Sequence, residues 1–255
     1  MNPAVLRIPE EWSLHVPMRP GLTRLIEPEF VFEEGGTGAS IARPRIAAGQ
    51  VESVVERTRE LGRAHGRKDL TWWCGPHGEP ADLAAQLLAL GLEPEPEVPV
   101  LTTMTLTRPP EGAPSAEVRP VETLEDYLLM VEISWAAWPP TDGDIAERRQ
   151  RAVDEWPSVR DTGIVVHHIA YLDDRPVAFS RTVFLPQAAL LLGGATVPEA
   201  RGRGAYLSLV HRRWQEAVER GTPVLVVGAG DMSGPILERL GFERHGQIQL
   251  LLDRL

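Results

Sequence analysis

The sequence predicts an α/β (α+β) chain of two halves, each a mixed, mostly antiparallel sheet flanked by helices. Three observations lead there. Short apolar runs alternate with helix-spaced segments from residue 50 to the end. An apolar run, Leu190 to Val197, passes through Pro198-Glu199-Ala200 into Arg201-Gly202-Arg203-Gly204 and then a long amphipathic segment. Lastly, a strand–helix–Gly–apolar–strand unit occurs twice. Trp72-Trp73-Cys74-Gly75 leads to a helix ending Leu90-Gly91-Leu92-Glu93, and Val226-Val227-Gly228 leads to one ending Leu240-Gly241-Phe242-Glu243. Shared ancestry of the halves or common capping chemistry both produce such a repeat.

In order, residues 1–48 carry weak signals: a short strand at Pro28 to Phe32, a turn at Glu33 to Gly38, and a second strand at Ala39 to Ala42. From Gln50 to Ala64, Val51, Val54, Val55, Thr58 and Leu61 recur at helical spacing. Leu70 to Cys74 reads as a buried strand stopped by Gly75-Pro76, Pro80 to Leu90 as a helix stopped by Gly91, and Val98 to Leu106 as a strand. Arg108 to Ala116 is rich in proline and has almost nothing to bury, so it reads as a linker. It divides the chain into expected domains 1–108 and 117–255.

Past the linker, Val118 and Val121 flank a short strand, and Thr123 to Trp138 reads as a helix. Thr141-Asp142 offers N-caps for another helix running to Trp156, opening on the acidic Asp142-Gly143-Asp144. Ile164 to Leu172 and Val177 to Leu185 are strands joined by the turn Asp173 to Pro176, and a third runs from Ala188 or Ala189 to Val197. Gly204 to Arg220 is a helix with Leu207, Val210, Trp214, Ala217 and Val218 as its apolar stripe. Val224 to Val227 is a buried strand, Ser233-Gly234-Pro235 starts a helix, and Gln247 to Leu252 is the last strand.

Composition sets the outer limits. The 255 residues suffice for a sizeable core, and 43% hydrophobic with 24% charged residues is ordinary for a soluble protein. A formal net charge of −10 argues against nucleic-acid binding, which needs a basic face. The single cysteine, Cys74, rules out an intrachain disulfide, and the seven histidines show no metal-site spacing, so no metal is expected. No apolar run approaches a membrane span, and Met1 to Glu10 lacks a signal architecture, so a cytoplasmic monomer or homodimer is expected.

Chemistry concentrates in the glycine–arginine loop. Small residues at a helix start free backbone N–H groups for an anion, and Arg201 and Arg203 add guanidinium groups suited to phosphate. Gly193-Gly194, inside the preceding strand, marks a bulge or a close backbone approach. Solvated loop arginines around an ordinary turn are the alternative reading.

Residues 118–255 run strand, two helices, three strands, helix, strand, helix, strand. With Val197 to Gly204 after the fourth strand, this resembles the GNAT acetyltransferase superfamily. The family signature places Arg or Gln, two residues, Gly, one residue, then Gly or Ala; Arg201, Gly204 and Tyr206 stand there, and Tyr206 departs from the small residue. Ser233 to Phe242 is similar to the second family motif, ending Leu240-Gly241-Phe242. The first half resembles such a domain without its cofactor loop, since Ala42 to Gly49 contains no Gly-x-Gly.

The resemblance implies acetyl-CoA as co-substrate, bound once per chain by Thr196, Val197, Arg201, Gly202, Arg203, Gly204, Ala205, Tyr206 and Ser233. It implies a splay beside the loop-bearing strand, pantetheine pairing along the exposed edge, and a Val197 N–H that stabilises the thioester oxyanion. A small-molecule amine acceptor then attacks directly in a ternary complex. The amine must shed a proton, because a free alkyl amine has a pKa near ~10. The family's usual motif tyrosine is replaced by Leu237. Asp231 and Tyr206 are the catalytic candidates, with Glu199 and the adjacent His167 and His168 behind them. Trp135, Trp138 and Trp156 line an acceptor pocket or pack the core. Cys74, in an apolar strand, reads as a structural thiol. A catalytically silent acyl-CoA sensor is the second reading; a nucleotide binder is weakened by the only lysine, Lys68, lying far from the loop.

Overall fold

A computed structural model of the chain describes residues 1–35, 38–140, 144–160 and 162–255. The elements run α1 (Pro3–Arg7), α2 (Trp12–His15), β1 (Leu22–Ile26), β2 (Val31–Gly35), β3 (Gly38–Ala42), α3 (Val51–Ala64), β4 (Asp69–Cys74), α4 (Leu83–Ala89), β5 (Glu93–Pro94) and β6 (Val100–Leu106). Then follow β7 (Glu117–Pro120), α5 (Leu124–Ala137), α6 (Ile145–Arg160), β8 (Val165–Leu172), β9 (Arg175–Phe184), β10 (Ala189–Thr196), a 3-10 turn at Pro198–Ala200, α7 (Ala205–Glu219), β11 (Leu225–Ala229), α8 (Gly234–Arg239) and β12 (Glu243–Arg254). By chain contacts these form two compact units: residues 1–104 with 228–236 and 244–255, and residues 105–227 with 237–243.

In the first unit, β1, β2 and β3 form an antiparallel meander and β3 pairs with β4 in parallel across α3. The helix forms because Val51, Val54, Val55 and Thr58 share one face, and that face packs with Phe32, Ile41, Trp72 and Leu87. Of the expected turn Glu33 to Gly38, Glu33, Glu34 and Gly35 continue β2 and Gly38 opens β3, while Gly36 and Thr37 lie outside the described residues. Paired acidic side chains are accommodated because Arg24 Nε donates to Glu33 at 2.6 Å, and Arg67 Nε and His65 reach Glu34 at 2.7 and 2.9 Å. The last strand, β12, pairs antiparallel with β4, and its Asp253 receives Arg59 at 2.8 Å. Cys74 is buried in β4, and burial pushes its thiol up to about 12, as a structural thiol requires.

In the second unit, β7, β8, β9 and β10 are successively antiparallel, and β10 is joined to β11 by a parallel pairing across α7. Helix α5 begins with a reciprocal cap between Thr123 and Asp126. The N-caps expected for α6, Thr141 and Asp142, lie with Gly143 outside the described residues; Asp144, in the expected acidic start, accepts from the Ala146 N–H at 2.9 Å. The helix runs on through Pro157 to Arg160, past the expected end at Trp156. Strands β8 and β9 meet in a tight turn where Asp173 and Asp174 both take left-handed φ, 51° and 60°.

Strand alternation sorts the sheet's two faces. His167, Phe179 and Ala195 turn toward α5, where Tyr127 packs edge-on to His167 and Trp138 edge-on to Phe179. His168, Ser180 and Gly194, aligned across three strands, turn toward α7.

The segment Arg108 to Ala116, expected as a linker, is fastened within this unit. Ser115 and Ala116 N–H groups each donate to Ser208 Oγ at 3.0 Å, Ser115 Oγ donates to the Arg203 carbonyl at 3.2 Å, and the Glu111 N–H donates to the Leu240 carbonyl at 3.0 Å. Hydrogen bonds from backbone and small polar groups hold a stretch that has no apolar run to bury.

Candidate functional site

Between Leu191 and Gly194, β10 spends one more residue than β9, and Gly193 takes φ +88°. That is a one-residue bulge with glycine in the left-handed position. The glycine pair singled out in the sequence therefore has its conformational reason. Parallel pairing of β10 with β11 covers Ala189–Leu225 and Leu190–Val226 and stops there, while β10 continues to Thr196. Past the bulge, one edge of β10 is bound to β9 and the other has no strand partner among the described residues.

The bulge also decides which amides face that open edge. Val197 N–H donates to the Val177 carbonyl of β9 at 2.9 Å. This corrects the role expected of Val197: its donor is committed to the sheet. Since successive residues face opposite edges, the N–H groups of Gly194 and Thr196 turn away from β9. The Thr196 carbonyl, on the same side, accepts from Arg201 Nε at 3.3 Å.

From Thr196 the chain makes the 3-10 turn at Pro198–Ala200 and enters the loop. Gly202 and Gly204 take φ +76° and +86°, and a Cβ on Gly204 would lie 2.3 Å from Ser115 Oγ. Only glycine fits at 204, which caps α7. The first helical bond here runs from the Ser208 N–H to the Gly204 carbonyl at 3.0 Å, so the N–H groups of Ala205, Tyr206 and Leu207 stay outside the helical ladder. Ala205 is buried; Arg201 and Arg203 are exposed, and Arg203 bonds Asp173 at 2.8 Å in a solvated pair. Free amides at a helix start beside an exposed guanidinium fit a phosphate-bearing ligand, and an open strand edge fits an amide-bearing arm.

The Tyr206 hydroxyl lies beside the Arg213 guanidinium. Burial pushes its hydroxyl up and Arg213 holds it by a hydrogen bond, so the ring serves packing and the guanidinium. This also accommodates the departure from a small residue at 206. His167 and His168 face opposite sides, as the alternation predicts, and both are buried. His167 Nε2 accepts from Arg181 Nε at 3.2 Å, and His168 Nε2 bonds Glu216 at 3.0 Å, which Arg212 also reaches at 2.7 Å. Burial raises the Glu216 carboxyl, yet His168 and Arg212 together bring it below its ordinary value. Trp156 packs against Tyr127 in the core, whereas Trp138 is 49% exposed. Leu237 is fully buried and Glu199 is exposed. Asp231, exposed in a turn, and Ser233, whose hydroxyl donates to the Gly230 carbonyl at 3.3 Å, belong to the first unit.

Two features of this region were not read from the sequence: the Gly194 N–H facing away from β9, and the burial of Arg213. Arg213 falls three residues after Val210 on the stripe of α7, a charged residue at an apolar position, and the structure buries it. Val218, expected on that stripe, is instead largely exposed.

Residues 108–233 match the family model described as an acetyltransferase (GNAT) domain. Among solved structures, a GCN5-related N-acetyltransferase from Kribbella flavida superposes with TM-score 0.70 at 17% identity, covering 99% of this chain and 96% of that one. A tandem GNAT protein from the clavulanic acid biosynthesis pathway gives TM-score 0.63 at 17% identity over 98% and 93% of the two chains. A conserved protein of unknown function from Staphylococcus epidermidis gives 0.65 at 12% identity over 93% and 95%. No curated protein matches. Residues 108–233 are thus similar to a GNAT acetyltransferase domain, and the fold of the chain is the mixed α/β fold of GNAT proteins. That domain class supports acyl-CoA-dependent acetyl transfer. Among the described residues no helix is long and apolar enough to cross a membrane.

Proposed function

We propose that the chain is an acetyl-CoA-dependent N-acyltransferase that delivers the acetyl group to a small-molecule amine by direct attack in a ternary complex. One observation carries the reading: past its bulge, β10 offers an open edge that runs straight into the glycine loop at the start of α7. Acyl-CoA supplies an activated thioester carbonyl. The loop amides from Gly202 to Tyr206, with Arg201, hold the pyrophosphate. Thr196 offers backbone groups to the pantetheine arm, and the Gly194 N–H takes the place expected of Val197 as donor to the thioester carbonyl. The reading uses the second unit's residues. It keeps the division into halves, 1–108 and 117–255, as a proposal about their relatedness, with one acyl-CoA bound per chain.

A silent acyl-CoA sensor is the second reading, favoured by the buried Leu237 at the place of the family's tyrosine. One experiment separates them. Thermal shift with acetyl-CoA is measured beside CoA release against a panel of small amines. Stabilisation with release supports the transferase; stabilisation with no release across the panel supports the sensor; no stabilisation rejects both.

A further inference from the structure

The guanidinium of Arg213 lies almost fully buried, 1% exposed, between α7 and the sheet. Its Nη2 donates to the Gly193 carbonyl at 3.0 Å, and the Tyr206 hydroxyl is its other partner. No carboxylate pairs with it among the described residues. A buried cation without an ionic partner is unfavourable, and burial lowers its pKa, although arginine stays charged near neutrality. Glycine at 194 is what admits it: a Cβ there would stand 2.8 Å from Nη2.

The carbonyl that Arg213 grips and the N–H of Gly194 belong to one peptide group. A charge-assisted bond to the oxygen draws electron density through the amide and makes its N–H a stronger donor, as in any chain of hydrogen bonds. That N–H faces the open edge of β10. We propose that Arg213 is a positioning residue that acts through the Gly193–Gly194 peptide: it fixes the bulge and strengthens the Gly194 N–H as donor to the thioester carbonyl. The inference rests on the acyl-CoA reading above.

A neutral side chain capable of the same bond separates charge from geometry. Arg213→Gln retains a donor without charge, and Arg213→Met retains neither. Infrared difference spectra of carbonyl-13C acetyl-CoA report the strength of the donor independently of turnover. Wild type displaces the bound carbonyl band to lower frequency; Arg213→Gln loses part of the displacement and Arg213→Met most of it. Acetyl-CoA affinity, set mainly at the loop, changes less than about threefold, and kcat falls about tenfold with KM nearly constant. Full displacement in a folded Met variant overturns the proposal. If the Met variant does not fold, full displacement in the Gln variant overturns it instead. Absence of any acetyl-CoA binding by wild type, seen by thermal shift, overturns the acyl-CoA reading itself and this inference with it.

Discussion

The crossover β3–α3–β4 of the first unit and the crossover β10–α7–β11 of the second have the same construction. Each joins two parallel strands through one amphipathic helix, and each pair is in register at two positions, Ser40–Thr71 and Ile41–Trp72 against Ala189–Leu225 and Leu190–Val226. They differ in what happens to the backbone between strand and helix. After β3, Arg45 N–H donates to the Glu29 carbonyl at 2.7 Å, Ile46 N–H to the Glu79 carbonyl at 2.9 Å, and the Ile46 side chain is buried in the core. Strand β3 pairs with β2 without a register shift. After β10 come two left-handed glycines, exposed arginines and amides outside the helical ladder, preceded by the bulge. Equal topology thus carries a loop bonded into the core in one unit and a glycine–arginine loop in the other. Both helices leave their first amides outside the ladder, the first bond of α3 running from the Val54 N–H to the Gln50 carbonyl at 3.0 Å, so the difference lies in the left-handed glycines and exposed arginines that precede α7.

Substitutions break or sharpen this contrast. The largest effect is expected at the plugged loop: Ile46→Ala lowers stability by about 2–5 kcal/mol, read by chemical denaturation, with acetyl-CoA affinity per folded molecule unchanged. In the open loop the pattern reverses. Arg201→Glu gives a chain that still folds and whose acetyl-CoA affinity drops about tenfold or more by calorimetry, as expected when a charge-assisted contact becomes repulsive. Unchanged affinity in that variant would remove the loop from the site. Ser208→Ala strips the acceptor from the Ser115 and Ala116 N–H groups and destabilises the second unit by about 1–3 kcal/mol.

A pH titration is gentler. The Glu216 carboxyl is depressed in the folded chain because His168 and Arg212 outweigh its burial, so it is lower folded than unfolded. Its contribution is therefore present above the unfolded value, near ~4.3, and is lost as pH falls through the folded value. Wild type should lose more Tm between pH 5 and pH 3 than Glu216→Gln does; equal losses would mean that the carboxylate is not held this way. Arg203→Ala should change stability by less than about 1 kcal/mol, because its partner Asp173 is solvated.

Much of the second unit was legible in advance. Its strands and helices follow from apolar periodicity, the open loop from Gly202 and Gly204 with their flanking arginines, and the start of α5 from Thr123. The first 48 residues were less so: α1, α2 and β1 are short, and β2 runs through charged residues that alternation rules count as surface. Glu33 and Glu34 sit in a strand only because Arg24, His65 and Arg67, distant in sequence, neutralise them.

By itself the sequence determined the local chemistry: which segments are strands or helices, where glycine is obligatory, and where two arginines flank the start of α7. Tertiary structure decided the rest. It showed that Arg108 to Ala116 is fastened down rather than free, because the groups that bond it come from Arg203, Ser208 and Leu240. It placed β12 against β4. It also showed that the Val197 N–H is spent on β9 while the Gly194 N–H turns away from β9. A strand's edge preference has a period of two, so the register with β9 past the bulge decides which amide faces outward. No local pattern carries that register, since it is set by pairing with residues up to 20 positions away, as in Val197 with Val177.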